Sequence, residues 1–303
     1  MIISLLITIV FGVIYFYVKL PAINLHTTEF YTFVYLLCIV YCGANILVTG
    51  FRSKDVKDYF KHLLKKCTVP VVIVATLIVI SAVGGLVGSV IFRAKSYSEL
   101  LPITDGDFAA EVEEIQWNQI PKLDENSANT LANKKMGELS DLVSQFEVDD
   151  SSAQINYQDR PVRATYLNYG DIIKWWNNRS EGIPAYLLID MVTQEVTVNR
   201  LEEGMKYSPS EPLNRNIYRY LRFHYPTKMF YDVNFEVDDE GTPYWCATTV
   251  TNTIGLFGGT DVTGAVLVNA VTGESQYYEI GDVPSWVDRV CSARLIMEQY
   301  DYY

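Results

Sequence analysis

The sequence predicts an α+β protein in which three N-terminal transmembrane helices precede a duplicated outer region, each copy combining a helix with an antiparallel sheet. Three observations predict this class. Long apolar runs occupy the first 92 residues, which contain only ten Asp, Glu, Lys or Arg side chains. The remaining residues carry a formal charge of about −16. They also contain two similar series of helix and strand patterns.

Each of the three apolar runs is long enough to cross a hydrocarbon core of roughly 30 Å, because a helix rises about 1.5 Å per residue. The first run lacks the basic start and small-residue cleavage site of a signal peptide and is interpreted as a retained span. Pro70 is expected in the first turn of the third helix. Gly84, Gly85 and Gly88 favour close approach of a neighbouring helix or, alternatively, reflect ordinary membrane-helix composition. The runs are MIISLLITIVFGVIYFYV, FYTFVYLLCIVYCGANILV and TVPVVIVATLIVISAVGGLVGSVIF.

A short basic segment between the second and third runs predicts the orientation, because short basic loops stay in the cytoplasm. The N-terminus is then cytoplasmic and everything after Phe92 extracytoplasmic, as in a multi-pass protein of the cell membrane. The same segment has the spacing of a short amphipathic helix on anionic lipid, which is the alternative interpretation. The topology-determining side chains are Arg52, Lys54, Lys57, Lys61, Lys65 and Lys66.

Three segments follow from these patterns: an anchor at 1–95, a first α+β unit with a juxtamembrane linker at 96–204, and a second unit at 205–303. The helix of the first unit is predicted in DENSANTLANKKMGELSDLV. The second helix is predicted to start near Ser210 or Pro212 and to stop before Pro226. The pentapeptide FEVDD occurs in both units and is interpreted as a half-buried strand that runs into a turn, not as a calcium loop.

Matched hairpins close the two units, in LLIDMVTQEVTV and VLVNAVTGESQY. Gln194 replaces the glycine of the second turn, so a different or more strained turn is expected in the first. The connectors differ, since DIIKWWNNR predicts a short helix and the glycine-rich GLFGGTDVTG predicts a loop. Cys246 and Cys291 either form one disulfide or remain two buried thiols.

A helix followed by antiparallel strands that end in VLVNAVTGESQYYEI resembles the PepSY family of extracytoplasmic domains. Stretches such as GIPAYLLIDMVTQEV, LRFHYPT and GLFGG are similar to a group of bacterial membrane proteins with paired domains of this kind. The resemblance implies a binding or regulatory outer domain without catalytic residues. It also implies that the chain is truncated at Tyr303 or that its remainder lies elsewhere.

The residues themselves predict no metal site, cofactor or catalytic group. His224 is the only histidine of the outer region, and no His, Cys or carboxylate cluster has metal-ligand spacing. Neither a nucleophile elbow nor a phosphate-binding loop is present in the sequence. The many carboxylates leave open a glycosidase-like pair, because sequence spacing does not reveal spatial separation. The acidic charge disfavours nucleic acid as a partner.

Aromatic residues give the best indication of a contact surface. All five tryptophans lie in the outer region, where Trp245 and Trp286 are expected in the core. Adjacent Trp175 and Trp176 on one helix point about 100° apart and cannot easily face the same core. The predicted contact residues are Trp175, Trp176, Tyr169 and Asn177.

The sequence therefore predicts a protein that is not an enzyme and that binds or regulates an envelope protein or peptide noncovalently, anchored in the bilayer by three spans. The alternatives are a carboxylate-dependent envelope hydrolase and an accessory subunit of a larger membrane complex. A transporter or channel is disfavoured because none of the spans carries an intramembrane charge.

Overall fold

The computed structural model describes residues 2–50, 56–112 and 114–302. Arg52 and Lys54 of the predicted basic loop lie outside the described residues, and so does the side chain of Lys57. The helices are, in chain order, α1 (Ile2–Lys19), α2 (Thr28–Gly50), α3 (Val56–Val87), α4 (Val90–Ser98), α5 (Phe108–Glu111), α6 (Glu125–Gly137), α7 (Ile172–Asn178), α8 (Ile217–His224) and α9 (Ala293–Tyr300).

Two antiparallel sheets follow the helical N-terminal region, as the α+β class predicts. In the first sheet the order is β1-β3-β4-β5, and β2 pairs with β3; the second sheet has the order β6-β7-β8-β9. The strands are β1 (Phe146–Val148), β2 (Ala153–Tyr157), β3 (Arg160–Tyr169), β4 (Ile183–Asp190), β5 (Val196–Met205), β6 (Met229–Val237), β7 (Pro243–Ile254), β8 (Gly258–Asn269) and β9 (Ser275–Glu279).

Among the described residues, three helices are long and apolar enough to cross a membrane: Ile2–Lys19, Thr28–Gly50 and Leu63–Val87. The three predicted spans are therefore confirmed by length and composition. Helix α3 starts before its apolar part, so Lys61, Lys65 and Lys66 lie on a helix instead of in a loop. For the same reason Pro70 lies inside α3, and its predicted place in the first turn is wrong.

The two sheets share one continuous hydrophobic core. An aromatic cluster joins them, because Tyr166 of the first sheet lies 4.7 Å from Trp245 and 5.4 Å from Phe235 of the second, measured between ring centroids. The Tyr186 hydroxyl also donates to the Gly241 carbonyl at 2.8 Å. Burial of these large side chains against each other makes the outer region a single packed unit.

The two FEVDD segments do not occupy corresponding places in the sheets. The first forms β1, which pairs with the end of β3, while β2 continues along the same edge of β3. The second ends β6, where Asp238 accepts a hydrogen bond from the Thr242 N–H at 2.7 Å inside the following turn. An alternating pattern before a turn suits any half-buried strand, which explains how one pentapeptide serves two positions.

The closing hairpin turns, by contrast, have the same geometry. Asp190 and Asn269 begin the turns, and their side chains accept hydrogen bonds from the backbone N–H groups two and three residues further along at 2.7 to 2.9 Å. Gln194 and Gly273 take the left-handed position with φ values of 65° and 79°. Gln194 thus uses the same turn as Gly273, at the conformational cost of a non-glycine residue there.

The glycine-rich connector is not a loop, because most of it forms β8. Only Gly255–Phe257 form the tip between β7 and β8, and this tip packs on α3. A Cβ atom on Gly84 would lie 2.8 Å from the Leu256 Cβ, and one on Gly88 would lie 2.9 Å from the Ile254 carbonyl oxygen. Gly84 in α3 and Gly88 directly after it therefore admit a β-hairpin, whereas the sequence leaves open a neighbouring helix or ordinary membrane-helix composition.

The connection between α1 and α2 contacts β7 of the second sheet and the loop between α8 and β6. The Ile23 N–H donates to the Pro226 carbonyl at 2.8 Å, and the Asn252 side-chain amide donates to the His26 carbonyl at 2.8 Å. Phe223 of α8 packs edge-on against Phe16 of α1, with 5.5 Å between ring centroids. One end of the span bundle is thus fixed to the sheets, and the lysines of α3 lie toward the other end.

Two further predictions need correction. Helix α8 begins after Asn216, whose side chain caps the Arg219 N–H at 3.2 Å, so the predicted start near Ser210 or Pro212 is wrong and the predicted stop before Pro226 is confirmed. All five cysteines are free thiols. Cys246 is buried in β7, but Cys291 is exposed, so neither a disulfide nor a pair of buried thiols is present.

Candidate binding surface

Helix α7 carries three of the four predicted contact residues, and Tyr169 ends the strand before it. Asp171 caps the helix, because its carboxylate accepts hydrogen bonds from the N–H groups of Ile173 at 2.8 Å and Lys174 at 2.9 Å. The bond from the Lys174 N–H lowers the pKa of the Asp171 carboxyl. A charged cap at the N-terminus stabilises a helix that is too short to persist alone.

Trp175 and Trp176 face different surroundings, in agreement with their spacing of about 100° on the helix. Trp175 is buried, whereas Trp176 is 61% exposed. Their rings lie 5.9 Å apart at an angle of 67°. Trp175 therefore packs α7 onto the rest of the fold, and Trp176 is the tryptophan that a partner can reach.

A buried carboxylate fixes the position of Trp175. Glu211 is only 2% exposed, and it accepts hydrogen bonds from the Trp175 indole N–H at 2.7 Å and from the Tyr169 hydroxyl at 3.4 Å. Burial raises the pKa of Glu211, while the hydrogen bond from Trp175 and the charge of Arg215 oppose that rise. The pairing of Glu211 with Trp175 ties α7 to the loop before α8 and limits its movement.

The sequence pattern does not predict Glu211 as a residue of this site. Glu211 lies between Ser210 and Pro212, two residues that predict the start of a helix, in a segment without periodic spacing. Carboxylates beside proline are common in exposed turns, and the residue pattern contains no indication of burial. The contact with Trp175 joins residues 36 positions apart in the chain.

Arg179 lies on the exposed tryptophan. Its guanidinium carbon is 3.2 Å from the centroid of the Trp176 ring and 5.7 Å from that of Trp175. The Arg215 side chain donates to the Arg179 carbonyl at 3.0 Å, which holds the end of the helix in place. A cation over an indole ring is attracted by roughly 0.5–1 kcal/mol at exposed sites. Trp176 and Arg179 therefore form a preorganised pair.

Apolar side chains extend this surface. Ile172 and Ile173 are 61% and 69% exposed on the first turn of α7, and Asn177 is exposed beside Trp176. Apolar groups that remain exposed next to an aromatic and cationic pair are typical of protein interaction sites. The name α7 surface is used below for Ile172, Ile173, Trp176, Asn177 and Arg179.

Within the described part of the chain, no group of three or more His, Cys, Asp or Glu side chains is placed to hold a metal ion. The histidine of the outer region, His224, stacks on Tyr220 with 3.9 Å between ring centroids. One of its ring nitrogens also lies 2.8 Å from the Tyr220 carbonyl oxygen. These contacts give His224 a packing role.

The carboxylate Glu236 is fully buried in the second sheet. Its two oxygens accept hydrogen bonds from the backbone N–H groups of Asp288 at 2.8 Å and Arg289 at 3.1 Å. Burial raises its pKa to about 7. The side chain is fully buried, so Glu236 anchors the C-terminal segment to the sheet instead of forming an accessible carboxylate pair.

No protein-family model matches this chain, and neither a curated protein nor a solved structure is significantly similar to it. The contacts of its own residues are therefore the basis for assigning a function.

Proposed function

We propose that this is a membrane-anchored, non-enzymatic protein whose outer region binds or regulates an envelope protein or peptide through the α7 surface. The observation that carries the proposal is the exposed Trp176 under the half-buried Arg179, on a helix that the buried Trp175 and Glu211 hold in place. Rigid, exposed Trp and Arg side chains contribute a large share of binding energy at protein interfaces.

Preorganisation strengthens this proposal. A flexible side chain loses about 0.5–1.5 kcal/mol of conformational freedom when a partner immobilises it. Arg179, the C-cap of α7, already lies over Trp176, and the helix is capped by Asp171 and tied to Glu211. Binding at the α7 surface therefore loses less conformational entropy than binding at a mobile loop would.

The chemistry of the surface indicates the kind of segment it binds. Ile172 and Ile173 favour apolar side chains, whereas Arg179 favours a carboxylate or a backbone carbonyl. We propose a peptide segment that combines an apolar anchor with an acidic or carbonyl group.

The orientation is also a proposal, based on the positive-inside rule. Lys61, Lys65 and Lys66 lie toward the cytoplasmic end of α3, and the sheets lie outside the membrane. The α7 surface would then face the envelope, where the acidic outer region repels nucleic acid and anionic head groups.

We further propose that the two halves of the outer region are related PepSY-like units. Support comes from the common order of antiparallel strands and from the matched turns at Asp190 and Asn269. The connectors of the two halves then have different roles. In the first half, α7 binds the partner; in the second, the β7–β8 tip attaches the sheets to α3.

Copurification from cells tests the binding proposal. The full chain is crosslinked in intact cells, purified in detergent and analysed by mass spectrometry. We expect Trp176→Ala to reduce the yield of a specific envelope protein at least tenfold, because truncation of an interface tryptophan costs about 2 kcal/mol or more.

Trp117→Ala is the matched control, since Trp117 is also highly exposed but lies outside the α7 surface. A partner that is lost equally from both variants, or from neither, would contradict binding at α7. Equal expression and equal melting temperature of the two variants show that the fold is intact.

A further inference from the structure

A cavity of about 770 Å³ lies among the three spans. Its size falls within the range of ligand sites, roughly 300–1,000 Å³. Helix α2 packs against both α1 and α3 and forms the floor of the cavity, while the other two helices form its walls. The lining side chains are Leu5 and Thr8 of α1, Val34, Leu37, Cys38 and Tyr41 of α2, and Lys65, Lys66, Val69, Pro70 and Ile73 of α3.

The cavity is apolar along its length and basic at one end. Val69 and Ile73 continue from the lysines along α3, and the distance from Lys65 to Ile73 is about 12 Å at 1.5 Å per residue. Lys65 and Lys66 stand at the end that is remote from the sheets. The cavity thus combines an apolar channel with two cations near the start of the apolar span Leu63–Val87.

This combination matches one class of ligand. An acyl chain fills an apolar channel in a bilayer without leaving polar groups unpaired. Two ammonium groups at its mouth require an anionic head group, and basic pockets between spans on the cytoplasmic side are typical sites for such lipids. A zwitterionic lipid offers no net charge to Lys65 and Lys66. We propose that the cavity binds one acyl chain of an anionic phospholipid whose phosphate is held by Lys65 and Lys66.

Lipid retention by the full-length protein tests this site. The protein is reconstituted in vesicles of equal parts phosphatidylglycerol and phosphatidylethanolamine, extracted in mild detergent and analysed by native mass spectrometry. The wild type should retain more phosphatidylglycerol than phosphatidylethanolamine. The double variant Lys65→Gln, Lys66→Gln should lose roughly 30-fold in this preference, which corresponds to about 1 kcal/mol per lysine.

Lys61→Gln is the matched control, because Lys61 is exposed on the same helix but does not line the cavity. It should keep the preference of the wild type. Equal losses in both variants would show nonspecific attraction to an anionic surface and would overturn the site.

A second variant tests the apolar channel independently of charge. Val69 is 65% exposed and lines the cavity, so Val69→Trp fills space without displacing packed neighbours. Retention of both lipids should fall. If the wild type instead retains no lipid and Val69→Trp breaks a dimer, a helix of a second copy occupies the cavity and the lipid proposal is wrong.

Discussion

At the scale of single residues, Gln194 and Gly273 adopt the same left-handed conformation with different side chains. A non-glycine residue in this region costs about 1 kcal/mol or more. Gly273 lies against Tyr207, and an added Cβ atom would overlap the tyrosine ring. The two turns share a backbone but tolerate substitution differently.

We therefore expect Gln194→Gly to raise the free energy of unfolding by up to about 1 kcal/mol, since relief of strain is partly offset by the entropy of glycine. Gly273→Ala should lower it by roughly 2–4 kcal/mol through strain and overpacking. Denaturant unfolding followed by tryptophan fluorescence measures both, because all five tryptophans report on the outer region. Equal effects at the two positions would contradict the turn geometry.

The buried Glu236 should make stability depend on pH. Its folded pKa is raised to about 7 from an ordinary value of 4.5, so the folded state holds the proton more tightly than the unfolded state does. The contribution of Glu236 to the free energy of unfolding is fully present below about pH 4.5 and is lost as the pH rises to about 7. The loss is on the order of 3 kcal/mol.

The free energy of unfolding of the wild type and of Glu236→Gln is measured between pH 4.5 and 8. The difference between the two isolates the effect of Glu236, because both proteins contain the neighbouring Cys246, Asp288 and Arg289. The stability of the wild type should fall relative to that of the variant as the pH rises. A constant difference across this range would show that Glu236 does not titrate there.

At the scale of elements, the β7–β8 tip joins the sheets to the end of α3. Gly88→Leu should push the tip away from α3, because an added Cβ atom would already lie 2.9 Å from the Ile254 carbonyl oxygen. Hydrogen exchange at Ile254–Gly258 should then accelerate at least tenfold, while the shared core of the sheets keeps its protection.

Gly43→Leu is the control for this prediction, since no atom lies within 4 Å of a Cβ atom added at Gly43. Unchanged exchange at the tip in Gly88→Leu would mean that the tip is not held by α3.

The sequence predicts elements well where the pattern is local. The apolar runs give the three spans, and DIIKWWNNR gives α7 at Ile172–Asn178. The sequence pattern gives the wrong element where contacts between distant segments determine the structure. Glycines in GLFGGTDVTG are typical of a loop, yet pairing with β7 makes this segment a strand.

The candidate site shows the same division. The spacing of Trp175 and Trp176 predicts that only one of them is exposed, but Glu211, which selects Trp175 as the buried one, comes from a segment 36 residues away. A contact between distant segments cannot be predicted from the local spacing of residues.

At the scale of the whole molecule, the spans and the outer region form one connected body. The α1–α2 connection, α8 and the β7–β8 tip all contribute contacts at the junction. The α7 surface lies beside β3 of the first sheet, and its Ile172, Ile173, Trp176 and Asn177 side chains are exposed. If the α7 surface binds a partner as proposed, these contacts hold it at a fixed place relative to the spans.

Site-specific photocrosslinking from position 177 in intact cells tests the central claim most directly. Asn177 is exposed beside Trp176, and Thr193, in the turn between β4 and β5, is an exposed control. We predict that a photoreactive residue at 177 forms an adduct with one envelope protein, that Trp176→Ala removes this adduct, and that the same probe at 193 forms none. Adducts of equal yield from both positions, or none from 177, would contradict a binding function at the α7 surface.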